Sequence, residues 1–98
     1  MTESVQVQLF SIFRQLAGGA ESVAVPFHDG ARLRDLLNRL GEMYGSAFVN
    51  AVLLPDGTGL AHDATVLLNG GNVLALEGLD THLRKDDCVA ILISISGG

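Results

Sequence analysis

Leu33, Leu36, Leu37, Leu40 and Tyr44 recur at i, i+3, i+4, i+7 and i+11. That period puts all five on one stripe of an α-helix, and Arg32, Arg34, Asp35, Asn38, Arg39 and Glu42 cover the other side. No other stretch of the chain has so clear a helical period. The segments before and after it alternate or run apolar, as strands do. One amphipathic helix cannot enclose a core alone, so its stripe must lie across the face of a sheet. The pattern therefore confines the chain to an α+β arrangement with one main helix.

Residues 5–13 alternate: Val5, Val7 and Leu9 face one way and Gln6, Gln8, Phe10 and Ile12 the other. This predicts a half-buried strand whose polar face turns apolar at Phe10 and Ile12. Gly18-Gly19 breaks the chain, and residues 21–27 read as a second strand with Val23, Val25 and Phe27 on one face. The short connection predicts a hairpin. Gly45, after Tyr44, is expected in the left-handed conformation that ends a helix. Gly41 inside the helix costs about 1 kcal/mol relative to alanine and marks an expected close approach to the sheet. Residues 48–54 fit a short helix or an irregular strand, and residues 55–59 a loop. A buried strand is predicted at residues 65–68, the Asn69-Gly70 hairpin turn next, then a brief strand around residues 73–76. Residues 78–83 read as a turn of helix or 3₁₀, Lys85-Asp86-Asp87 as a polar turn, and residues 88–95 as the last strand.

Two hairpins thus flank one helix. The first and last strands each carry a nearly continuous apolar face, so they are expected to pair in parallel at the centre of a mixed sheet. The helix should cover Val5, Val7, Leu9, Val89, Ile91 and Ile93. That is the β-grasp arrangement, with residues 1–95 as the folded domain and residues 96–98 as a tail. From Ser94 onward, about five extended residues reach roughly 15 Å from the rim.

With 98 residues the chain is one domain, able to bury roughly 60–65% of its unfolded surface. Hydrophobic residues make up 48% and charged residues 17%, which excludes intrinsic disorder. The net charge is −5, and Arg14, Arg32, Arg34, Arg39, Arg84 and Lys85 are mostly scattered. No stripe neutralises phosphates, so neither nucleic acid nor an anionic membrane is an expected partner. A single cysteine, Cys88, excludes an internal disulfide and a thiolate-only metal centre. The start Met1-Thr2-Glu3-Ser4 lacks the basic and apolar regions of a signal peptide, and no apolar run is long enough for a membrane span. The expected location is the cytoplasm.

Several residues invite chemistry that their setting does not support. Cys88 opens a strand and reads as a structural thiol. His28, His62 and His82 lie in three separate loops without ligand spacing, so no metal is expected. Asp86-Asp87 reads as a solvated pair in a turn, and Gly70-Gly71 is too short for a phosphate loop. Lys85 is the only lysine, which argues against chains of self-conjugates as the main activity.

The ending differs. Directly after the apolar run the sequence finishes Ser96-Gly97-Gly98. Glycine loses the most freedom on ordering, so packing gains nothing from it. A narrow enzyme cleft does gain, because a backbone without Cβ atoms can be threaded deeply. The residues alone allow two readings: a carboxylate presented for activation by another enzyme, or a frayed terminus. On the sheet face opposite the helix, parity places Phe10 and Leu92 with Ala90 beside them. They read as a partner patch, or Phe10 as a lone surface aromatic.

One ordered set of short pieces runs along nearly the whole chain: Leu9-Phe10, Phe13-Arg14-Gln15-Leu16, Leu33-Arg34-Asp35-Leu36-Leu37 and Tyr44-Gly45. Then follow Val66-Leu67-Leu68-Asn69-Gly70, Gly78-Leu79-Asp80-Thr81, Asp86-Asp87-Cys88-Val89-Ala90-Ile91 and Gly97-Gly98. In these pieces and their order the chain resembles the MoaD/ThiS family of ubiquitin-like sulfur carriers. The stretch from Leu68 to Asp80, with the ending, is most similar to the small subunit of molybdopterin synthase. One departure is the absence of proline from Leu92-Ile93-Ser94-Ile95-Ser96, where the MoaD branch usually has one.

The resemblance implies a carrier whose catalysis is supplied by partners. An adenylating enzyme of the MoeB/ThiF type would transfer AMP from ATP to the Gly98 carboxylate. A sulfur donor would displace AMP and leave a thiocarboxylate. A large subunit of the MoaE type would use that sulfur in making the molybdenum cofactor. Gly97 would supply narrowness, and the resemblance adds Leu76 to the partner-binding patch of Phe10 and Leu92. No cofactor would be bound by the chain itself. Alternatives are a carrier for thiamine thiazole, cysteine or a tungsten pterin, a protein modifier joined through Gly98 to lysines, and a plain interaction domain.

Overall fold

Val5, Val7 and Leu9 have no exposed surface, whereas Gln6 and Gln8 between them are exposed. This alternation is the pattern of a strand with one face on a core. The computed structural model describes residues 3–28 and 30–93. In chain order it contains β1 (Glu3–Leu9), α1 (Ile12–Leu16), β2 (Ser22–Phe27), α2 (Leu33–Tyr44) and α3 (Ser46–Val52). Then follow β3 (Ala64–Leu68), β4 (Gly71–Asn72), 3₁₀ turns at Val73–Ala75 and Gly78–Asp80, and β5 (Cys88–Ile93). The strands form one mixed sheet in the order β2-β1-β5-β3-β4. β1 and β5 run parallel at its centre, and the other neighbours are antiparallel.

The helices cover one face. Leu33, Leu36, Leu37 and Leu40 of α2 are buried against Val5, Val7, Leu9, Val89 and Ile91, and Ile93 packs at the margin of that core. This is the expected β-grasp arrangement. The start of α2 is set by its cap. The Arg32 N–H donates to Asp35 Oδ2 at 2.9 Å, and the carboxylate sits in the first turn, where the helix dipole favours it. Arg34 Nε and Nη2 donate to Asp80 Oδ1 at 3.1 and 2.9 Å, which ties α2 to the second 3₁₀ turn. Phe48 of α3 lies between Phe13 of α1 and Tyr44 of α2, with ring centroids 5.6 and 5.8 Å away.

Four sequence expectations are corrected. The first strand stops at Leu9 rather than residue 13. Ser11 takes φ 54° and ψ −129°, α1 begins at Ile12, and Phe13 turns into the core. The apolar residues at positions 10 and 12 were therefore a change of period, not a continued strand. The connection to β2 accordingly contains a short helix. The strand expected around residues 73–76 is instead the two-residue β4 and a 3₁₀ turn. Asn72 Oδ1 accepts the Leu74 N–H at 2.9 Å and gives the backbone a local partner in place of a ladder bond. Gly45 has φ 99° and ψ 175°, outside the left-handed helical region, because it caps α2 and starts α3 at once. The apolar run at residues 48–54 resolves as helix as far as Val52, with Leu53 extended and bridged to Leu60, and the Asn69-Gly70 turn is as expected, with φ 50° and 89°. The side chain of Phe27, residue 29 and residues 94–95 of the expected last strand lie outside the described ones.

Gly41 is the fourth correction. A Cβ there would run into Cγ2 of Val49, so the close approach is between α2 and α3, not to the sheet. Val49 is β-branched and stiff, and it cannot swing aside cheaply. Gly41→Ala should therefore destabilise the fold by about 1–3 kcal/mol despite alanine's better helix propensity. A denaturant titration checks this, and a stabilised variant would show that the helices part without cost.

Candidate partner-binding face

Helices leave the other face of the sheet open. In the centre of that face, the pairings Gln8↔Ala90 and Leu67↔Ala90 set a row across β1, β5 and β3. Leu92 lies two residues further along β5, paired with Thr65. Together with Phe10, Ser11, Gly70, Cys88 and Ile93, the residues Gln8, Leu67, Ala90 and Leu92 line a hollow of about 510 Å³. Among the described residues, no charged side chain lines it. A shallow, mainly apolar concavity on an otherwise acidic chain is suited to a protein surface that brings an apolar anchor.

Phe10 is held at one end of this hollow. Its N–H donates to the Ile91 carbonyl at 3.2 Å, and the residue stays 39% exposed. The structure thus brings Phe10 and Leu92 together, as strand parity predicts. Leu76 is 53% exposed but caps the first 3₁₀ turn, beyond the β4 edge, and is not among the residues lining the hollow. Gly97 and Gly98 lie outside the described residues. The last described residue, Ile93, is on the wall of the hollow.

At the other end, the hairpin tip is tied to the start of β5. Asn69 Oδ1 accepts the Cys88 N–H at 2.9 Å, and Asn69 Nδ2 donates to Asp87 Oδ1 at 3.0 Å. Asp87 Oδ2 accepts the Arg84 N–H at 2.8 Å. Asp87 is therefore a structural bracket, whereas the sequence suggests a solvated acid. Its use depends on Asn69, 18 residues away, which no local pattern reveals. Cys88 is half-buried in the hollow. His28, His62 and His82 are all exposed, and among the described residues no group of three His, Cys, Asp or Glu could hold a metal. No described helix is long and apolar enough to cross a membrane.

One residue at this face escapes the sequence reading. The guanidinium of Arg14 lies over the Phe10 ring, 5.9 Å from its centroid. Spacing along the chain does not reveal this contact, because the reversal at Ser11 between the two residues is neither helical nor extended.

The pattern of the ThiS family matches residues 7–98. Small archaeal modifier protein 3 of Haloferax volcanii is 30% identical over 94 residues, which span 96% of this chain and 98% of that protein. The solution structure of small archaeal modifier protein 1 from Methanosarcina acetivorans is similar at TM-score 0.78 and 29% identity, covering 100% of this chain and 99% of that one. A Pyrococcus furiosus protein assigned as molybdopterin converting factor, subunit 1, is similar at TM-score 0.75 and 28% identity, covering 95% and 99%. With the parallel central pair, the single long helix across one face and this match over nearly the full length, the chain belongs to the ThiS family of ubiquitin-like sulfur carriers.

Proposed function

We propose that this chain carries sulfur as a thiocarboxylate on Gly98 and delivers it in molybdopterin synthesis in the cytoplasm. The observation that carries the reading is the family match, which extends to Gly98 and so includes Gly97-Gly98. In the first step the Gly98 carboxylate attacks the α-phosphate of ATP on an adenylating partner of the MoeB/ThiF type and releases pyrophosphate. In the second, a sulfur nucleophile displaces AMP. A MoaE-type large subunit then holds the tail while the sulfur attacks the pterin precursor. The chain's own contribution is placement: a covalently held sulfur on a thin arm is delivered without loss to solvent. The open face supports this by offering Phe10 and Leu92 as anchors beside the tail's point of departure, with Leu76 as an outlying contact.

A second reading has comparable support. Of the three similar proteins named above, two are modifiers, at 30% and 29% identity, against 28% for the molybdopterin converting factor. In that reading the Gly98 acyl-adenylate is taken by lysines of other proteins. Intact mass after incubation with ATP, a sulfur source and the adenylating partner separates them. A gain equal to exchanging one oxygen for sulfur, lost on deleting Gly98, is the expected result. An unchanged mass beside a positive control carrier, with a ladder of adducts in extract, would move the function to protein modification.

The face makes its own prediction. Phe10→Asp should weaken binding to the adenylating partner by about 10–100-fold, the range of a truncated interface anchor, and leave stability within about 0.5 kcal/mol. The fold tolerates the change because the new carboxylate would sit beside Arg14 at an exposed site. Calorimetric titration and a thermal melt together decide it, and a collapsed melt would mean Phe10 belongs to the core.

A further inference from the structure

We propose that Arg14 is a positioning residue that locks the Phe10 ring in the orientation the partner meets. This rests on the reading of the open face as the docking site. Phe10 has its backbone fixed by the bond to Ile91, but the side chain of an exposed residue is not held by packing alone. A loose anchor loses rotamer freedom when a partner binds, whereas one already held does not.

The chain supplies the hold through an unusual turn. Ser11, at φ 54° and ψ −129°, occupies backbone space that non-glycine residues rarely enter. The reversal lets α1 begin at once, closed by Phe13 N–H to the Phe10 carbonyl and Arg14 N–H to the Ser11 carbonyl, both 3.1 Å. One turn on, Arg14 comes back above Phe10. Its guanidinium is then restrained at three points: over the ring at 5.9 Å, by Nε–H to the Leu9 carbonyl at 3.3 Å, and by Nη1 at 3.7 Å from Glu21 Oε1. The planar fork of arginine serves all three at once. Lysine has a point charge on a flexible stem and cannot.

The test is pyrophosphate exchange by the adenylating partner with this protein as the varied substrate. Arg14→Ala should raise KM about tenfold, the size of a coupling between contacting residues, and leave kcat unchanged because the tail is untouched. Arg14→Lys should fail to restore KM. Phe10→Ala should raise KM at least as much, and adding Arg14→Ala to it should change nothing further. If Arg14→Ala keeps its full effect without the Phe10 ring, or has none while Phe10→Ala does, the positioning role is wrong. If Phe10→Ala leaves KM unchanged, the docking face itself is wrong and the proposal falls with it. Thermal melts accompany each variant; if Arg14→Ala unfolds, Arg14→Gln carries the same cycle with the stem retained.

Discussion

Gly98→Ala should lower sulfur loading strongly while the protein folds as before. The described core is built from residues between Val5 and Ile93, so nothing in it depends on the last two positions. An activating cleft must bring the terminal carboxylate in line with the α-phosphate of ATP, and a Cβ at the last residue widens the chain where clearance is least. Misplacing a reacting group by about 1 Å costs on the order of 100-fold in rate, so a loss of that size or more is expected. Time-resolved intact mass measures loading, and a melt confirms the fold. Loading at the normal rate would show that the cleft tolerates a side chain and that glycine there is incidental.

Phe48→Ala should have the largest effect on stability. Phe48 is fully buried in α3 and touches a ring from each of the other two helices: Phe13 at 59° and Tyr44 at 34°. It is the side chain through which α1, α2 and α3 share one core. Truncation removes the ring's transfer free energy and leaves a cavity, together about 3–5 kcal/mol. A domain of this size has about 5–15 kcal/mol in total, so the variant is left marginal. Its Tm should fall by about 15–30 °C. A loss below about 1 kcal/mol would mean that the helices close over the gap, and that the three-ring cluster is not the centre of the helical layer.

The central features were legible because they are carried by long periods. Five apolar residues at helical spacing define α2, and three alternating positions on β1 with matching ones on β5 define the buried face. Such patterns permit only one orientation once a face is buried. Parity also placed Phe10 and Leu92 on the same open surface. The misreadings fall where a period is too short to decide. α1 has five residues, and Phe13 faces the core whether the chain is read as strand or helix. β4 has two residues, and the Asn72 side chain, not hydrophobic pattern, ends it. Gly41 signals a close approach, but sequence cannot say to what, because Val49 meets it only after α3 folds back across α2.

The class of fold, the parallel pairing of first and last strands and the family resemblance can all be read along the chain, because each is written in local periodicity or in ordered short motifs. How the face is finished comes from the folded molecule. It bends the chain at Ser11, sets Arg14 over Phe10, ties Asn69 to Asp87 and leaves Leu76 outside the hollow. Those arrangements join residues through turns whose dihedral angles are settled by packing on the completed core, and no spacing along the chain encodes them.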